Sequence, residues 1–182
     1  MLLPSHKLRT DKQSGGIHFL ARRNGWACDN VYRYEVVLAN GTIVHATASS
    51  HPDLWLALKG GSGNFGIVTH IDVPTWPNAH MWGGTVLFPY TPDILAAQAS
   101  AFSDFMREEN FDDAAHMGLT LVFDGGQYAA GDAMYYVEPV ERPEVYERFM
   151  DIKPQTADSM RLTNASALVD LSTGLLPPNT TR

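Results

Sequence analysis

Four glycines fall within the seven residues Gly60-Gly61-Ser62-Gly63-Asn64-Phe65-Gly66. Glycine lets a backbone turn at positive φ and lets its peptide N–H groups approach an anion closely. Gly61 to Gly66 also fits G-x-G-x-x-G, the spacing that cradles a dinucleotide pyrophosphate. That motif works only where a strand enters it and a helix leaves it, so that the helix N-terminus faces the phosphates. Here the order is reversed. Pro52 suits the first turn of a helix, and Asp53 puts a negative charge at its positive end. Leu54 to Leu58 continue the helix. Ile67-Val68-Thr69-His70-Ile71-Asp72-Val73 then reads as a strand that ends at Pro74. A helix, a glycine turn and a strand leave two roles for the glycines: tight αβ packing, or a backbone surface against a ligand.

Other chemistry is sparse. The seven histidines are scattered, and no pair has the helical spacing of a zinc site. No phosphate-binding Walker loop and no Gly-x-Ser-x-Gly elbow occurs. Glu108-Glu109 and Asp112-Asp113 read as a solvated acidic face at a helix end. Tyr135 and Tyr136 are neighbours on a strand and so point to opposite faces, and one of them could face a substrate cleft. No motif singles out a catalytic base, so the catalytic residue is left unknown. Cys28 is the sole cysteine, which excludes an internal disulfide, and it reads as a buried structural thiol. His45 reads as a surface or packing histidine.

The elements that hold these residues follow from periodicity. Gly15 to Asn30 is a glycine-punctuated loop with Phe19 and Trp26 as packing anchors and an Asx turn at Asp29-Asn30. Tyr32, Tyr34, Val36 and Leu38 alternate with Arg33, Glu35 and Val37, and Thr42 to Thr47 returns. Asn40-Gly41 between two β-rich runs is a strong hairpin signal. Pro74 to Asn78 is a turn-rich break. Trp82 to Phe88 reads as a strand, and a helix follows, capped by Thr91 with Pro92 in its first turn. Its apolar stripe is expected at Leu95, Ala99, Phe102, Phe105 and Met106. Met117–Phe123 and Tyr128–Val137 form a hairpin around Asp124-Gly125-Gly126, and Pro143 to Met150 is a short helix. This β-α-β-β-α order suits a ferredoxin-like layer. Ala165 to Leu171 reads as a helix in a tail rich in Ser, Thr, Asn and Pro.

Composition sets the outer bounds. The chain has 182 residues, 45% hydrophobic and 18% charged, enough for a real core, and a formal net charge of −7. A nucleic-acid partner is not expected of so acidic a chain. No apolar run reaches membrane-spanning length. The opening MLLPSHKLRTDKQS lacks the apolar core of a signal peptide, so the chain as it stands reads as cytoplasmic. The sequons at Asn40, Asn164 and Asn179 matter only in a secreted protein.

Five pieces then occur in an order and spacing that resemble a known family. They are Gly15-Gly16-Ile17, Gly25-Trp26-Ala27-Cys28-Asp29-Asn30-Val31, Glu35 to Gly41, Pro52 to Gly61, and Asn64-Phe65-Gly66-Ile67-Val68-Thr69. Together they resemble the second half of the FAD-binding domain of the vanillyl-alcohol-oxidase class, the PCMH-type and berberine-bridge-enzyme-like flavoproteins. Fungal FAD-linked oxidoreductases are the nearest likeness. The resemblance implies an α+β fold, with residues 1–76 as a partial FAD-binding domain and 77–182 as part of an α+β, ferredoxin-like substrate domain. It implies FAD as cofactor, contacted mainly through backbone at Gly16, Ile17, Gly66, Ile67 and Val68. It also implies oxidation of an alcohol, amine or ring carbon of a small-molecule substrate by hydride transfer to the flavin, which oxygen then reoxidises. Relatives are often secreted.

In relatives, a pyrophosphate loop and a histidine that often bonds to the flavin precede the glycine cluster, and neither has a counterpart in these 182 residues. The expectation is therefore a fragment or truncated member. The alternative is a non-catalytic remnant, a small α+β binding or association protein without cofactor. Either would expose a sheet edge open to self-association.

Overall fold

A computed structural model describes residues 15–77, 80–124 and 126–173. The protein is α+β, and the chain divides after Pro77 into two compact units.

The first unit is a three-stranded antiparallel sheet in the order β2-β1-β3, with β1 at Arg33–Val37, β2 at Ile43–Thr47 and β3 at Ile67–Asp72. Asn40-Gly41 makes the β1–β2 turn. Gly41 takes φ 82°, and Asn40 Oδ1 accepts the Thr42 N–H at 3.0 Å. Period-2 alternation puts Tyr34 and Val36 on one face, beside Ala46 and Val68, and all four are buried. A short helix, α1, spans Ala21–Asn24 and a second, α2, spans Pro52–Ala57. Leu54, Trp55 and Leu58, at the end of α2, close the buried face together with Val31. Trp55 Nε1 donates to the Val31 carbonyl at 3.0 Å, which ties α2 to the strand entrance. Removing the Leu58 side chain from water contributes about 2 kcal/mol. The opposite face carries Arg33, Glu35, His45, His70 and Asp72 and is open.

The second unit is a sheet in the order β5-β6-β4-β7, with β8 also against β4. Its long strands are β4 (Met81–Pro89), β5 (Ala115–Asp124) and β6 (Gln127–Tyr136). The short ones are β7 (Ala157–Asp158) and β8 (Arg161–Thr163). Helix α3, Pro92–Phe105, begins as the sequence predicts, with Thr91 Oγ1 accepting the Ile94 N–H at 3.3 Å. Of the expected stripe, Phe105 is buried and Leu95 and Phe102 pack against the core. The buried positions are Ile94, Gln98, Ala101 and Phe105, whereas Ala99 and Met106 face solvent. These spacings of four, three and four follow one helix face as well as the expected set does. Gln98 is the polar member of this face, and an apolar pattern does not mark it.

Pro143 to Met150 forms a 3₁₀ turn, Glu144–Tyr146, that runs into α4, Glu147–Met150. Tyr146 is fully buried, stacks on Trp82 and Phe105, and donates its hydroxyl to the carbonyls of His116 and Tyr135 at 3.0 and 2.9 Å. One phenol thus pins the β5–β6 ladder to the aromatic core. Strands β7 and β8 carry no sequence signal long enough to find. Backbone contact sets their position: a Cβ at Gly84 would lie 2.7 Å from the Ser159 carbonyl oxygen. Helix α5, Ala165–Thr173, lays Leu168 over Gly83 on the sheet face away from α3.

Candidate functional site

The glycine turn after α2 resolves into parts with different causes. Gly60 takes φ +93°, and a Cβ there would meet nothing within 4 Å. Gly66 takes φ +142°, and its Cβ would strike Val36 Cγ1 at 2.6 Å and the Val37 carbonyl oxygen at 2.7 Å. A Cβ at Gly61 would lie 2.1 Å from the Ala57 carbonyl oxygen and 2.5 Å from the Phe65 ring. Close packing against α2 and β1 therefore accounts for Gly61 and Gly66 without a ligand. Val68 is buried in the sheet core, while Ile67 is 70% exposed at the start of the outer strand β3.

The other two expected cofactor residues, Gly16 and Ile17, lie at the start of the described chain. Gly15 and Gly16 both take positive φ, 99° and 74°. Their carbonyls accept the N–H groups of Cys28 and Ala27 at 2.8 and 2.9 Å, which locks this loop against the Gly25–Asn30 segment. That segment is held by its own side chains. Asp29 Oδ2 accepts the Trp26 N–H at 3.0 Å, and Asn30 Nδ2 donates to the carbonyls of Asn24 and Trp26, each at 2.9 Å. Ile17 is 65% exposed. Trp26, expected as a packing anchor, is 55% exposed instead.

These pieces border an open depression of about 450 Å³ lined by Gly15, Trp26, Cys28, Asp29, Leu56, Lys59 and Gly60. Its walls are an exposed indole and an exposed leucine. Its floor includes the buried Cys28 thiol, whose pKa burial and neighbouring Asp29 push up. Its cation is Lys59, whose Nζ sits 3.8 Å from the Trp55 ring centroid and donates to the Asp29 carbonyl at 3.3 Å. None of the five expected residues lines the depression, but Gly15 beside Gly16 does. Glycine backbone, exposed aromatic surface and one cation fit one side of a site for a flat ring system that carries phosphate. They do not enclose one.

In the second unit the structure separates the two candidate tyrosines. Tyr136 turns into the helix-side core and donates its hydroxyl to Asp112 Oδ2 at 3.0 Å; burial and that carboxylate push its pKa up to about 12. Asp112 therefore has a structural role and is not simply a solvated acid. Tyr135 faces the other side of the sheet, buried, with its ring stacked on His116. Sequence reasoning missed two further clusters. Glu35 on β1 bridges His45 on β2, at 3.1 Å, and His70 on β3, at 2.6 Å. Asp132 is wholly buried on β6 beside Gln98. The first could have been read from register, since Glu35 and His45 lie directly across the expected hairpin; the second could not, because Gln98 and Asp132 meet only in the folded core. Among the described residues no group of histidine, cysteine and carboxylate side chains could hold a metal ion.

Comparison with known proteins defines the class. The fold is that of VAO-type flavoproteins. 6-Hydroxy-D-nicotine oxidase from Arthrobacter nicotinovorans superposes over 93% of this chain and 37% of its own, with a TM-score of 0.77 at 20% identity. The VAO-type flavoprotein MtVAO615 from Myceliophthora thermophila matches over 97% of this chain and 33% of its own, with a TM-score of 0.65 at 21% identity. No family model matches the chain. Curated relatives are more specific. The FAD-dependent monooxygenase FUP4 of Fusarium proliferatum is 37% identical over 161 residues, 86% of this chain and 31% of that protein. The bifunctional solanapyrone synthase of Alternaria solani is 37% identical over 172 residues, 92% of this chain and 31% of that protein. The chain is thus homologous to fungal FAD-dependent monooxygenases and oxidoreductases, and it spans about a third of the length of these two relatives.

Proposed function

We propose that this chain forms part of an FAD-dependent oxidoreductase that acts on a small organic molecule, with Gly16 and Ile17 meeting the cofactor through their backbone. The observation that carries this reading is the Gly15–Gly16 loop, held at positive φ beside an open depression with an exposed indole, in a chain homologous to FAD-dependent enzymes. Bound FAD would supply the hydride acceptor, which oxygen would then reoxidise. This chain's residues would place the ring and the phosphates. Gly16 and Ile17 would offer peptide N–H groups, and Lys59 a positive charge at the rim. Gly66, Ile67 and Val68 would contribute backbone from the start of β3. The second unit would belong to the substrate domain. The substrate class is an alcohol, an amine or an oxidisable ring carbon.

A second reading has its own support. Gly61 and Gly66 are required by packing alone, so a non-catalytic member of the family would keep the glycine turn without keeping flavin.

The visible absorption spectrum of the purified 182-residue chain, taken before and after FAD is added and the mixture desalted, decides between them. Retained flavin bands at a ratio near one flavin per chain support the first reading and justify a substrate screen by oxygen consumption. A chain that never retains flavin supports the second.

A further inference from the structure

Asp132 lies on β6, is wholly shielded from solvent and takes part in no ion pair among the described residues. Across the sheet it faces Val86 on β4 and Leu119 on β5. Alternation along β6 puts it on the same face as Ala130 and Met134, which belong to the core beneath α3. A single polar side chain reaches it from the helix: Gln98 Nε2 donates to Asp132 Oδ1 at 2.7 Å, and Gln98 is itself buried. Asp132 Oδ2 has no partner.

The charged groups of the surrounding elements are exposed or engaged elsewhere; Asp158 on β7, across Val86 from Asp132, is exposed and accepts the Met160 N–H at 2.8 Å. Asp93 on α3 is exposed. Asp104 on α3 pairs with Arg148 on α4 at 2.8 Å. Glu147 on α4 is exposed, and His116 on β5 stacks on Tyr135 on the other face of the sheet. A carboxylate in this layer would have one hydrogen-bond donor and no cation, which is a costly way to bury a charge. A neutral carboxyl group keeps the Gln98 hydrogen bond and avoids the charge.

We propose that the docking of α3 on its sheet is coupled to a proton at Asp132: the helix is held while the side chain is neutral and loosens when it ionises. Burial raises the Asp132 carboxyl from 3.8 to about 7, opposed only by the hydrogen bond from Gln98. The folded unit therefore binds more protons than the unfolded chain between those two values. Its stability falls as pH rises through that window and levels off above it. Around neutral pH, small pH changes would then shift how often α3 opens. The inference is independent of flavin binding, since Asp132 belongs to the second unit and serves none of the cofactor contacts proposed above.

The test is a carbon-13 NMR titration of the Asp132 carboxyl in the full 182-residue chain, with hydrogen exchange of the α3 amides corrected for intrinsic rate. The expected carboxyl midpoint lies well above 5. The opening equilibrium of α3 should grow by roughly two to three orders of magnitude from pH 4 to pH 8. Asp132→Asn should flatten that dependence. A midpoint near 4 overturns the proposal, as does α3 opening that ignores pH. If Asp132→Asn does not fold, the titration of the unmodified chain still decides.

Discussion

Glu35 stands in the middle strand of the first sheet with its side chain on the open face. Thr69 donates to its carboxylate, and His45 and His70 flank it from the two neighbouring strands. The Thr69 hydrogen bond, and then the two imidazoles, hold this carboxyl down to about 2. A depressed acid stabilises the fold above its ordinary value of 4.5, and that contribution is lost as pH falls through the folded value. Glu35→Gln should therefore lower the melting temperature at pH 6, and the deficit should close as pH falls toward 2. Thermal melts of both proteins across that range would show it, and a deficit that does not shrink on acidification would rule the account out. Tyr146 offers a second test at this scale. Its hydroxyl serves two backbone carbonyls in a dry core, so Tyr146→Phe should cost about 1–2 kcal/mol in denaturant unfolding with no change of fold.

Among the elements, the glycine turn between α2 and β3 separates packing from permissiveness. Gly66→Ala pushes a methyl group into Val36 and the Val37 carbonyl and should destabilise by about 1–3 kcal/mol. At Gly63 a Cβ meets nothing within 4 Å, so Gly63→Ala should be close to neutral. Equal effects at the two positions, measured by urea unfolding, would show that the turn is not organised this way. The same stretch shows what a sequence discloses and what it withholds. Pro52, the Asn40-Gly41 turn and the β-branched run from Ile67 act locally, so the helix, the hairpin and the strand are legible in order. That Gly66 is tight depends on β1, a segment more than twenty residues earlier in sequence, and cannot be read locally. The place of Gln98 on the buried face of α3 is withheld for a related reason. Gln98 belongs in the core only because Asp132, distant in sequence, meets it there. Tyr136 and Asp112 form another such pair.

At the scale of the whole chain, two units each carry their own core, one around Tyr34 and Leu58 and one around Phe88, Phe149 and Tyr146. The α+β class was legible because each unit declares its own alternation. The open depression was not, because it gathers Gly15 from an early loop, Leu56 from α2 and Gly60 from the turn after it. In the second sheet β5 is the outer strand among the described residues, and Leu119, Leu121 and Phe123 on it are exposed. Antiparallel pairing of β5 with a second copy about Thr120 would set Leu119 against Leu121 and Met117 against Phe123. An unpaired edge with such a pattern favours self-association. Sedimentation velocity should show a dimer that grows with concentration and that Leu121→Lys disperses. A monomer at all concentrations would set this aside.

Trp82 is the one tryptophan of the second unit, since Trp26, Trp55 and Trp76 all precede the division at Pro77. It is 3% exposed and stacked on Tyr146. The difference between the fluorescence of the unaltered chain and that of Trp82→Phe therefore isolates the emission of a single indole. That emission should be blue while the aromatic core is closed and should shift to the red when water reaches it. The protein carries its own optical gauge of whether the second core is shut, readable without a label and separable from anything that happens in the first.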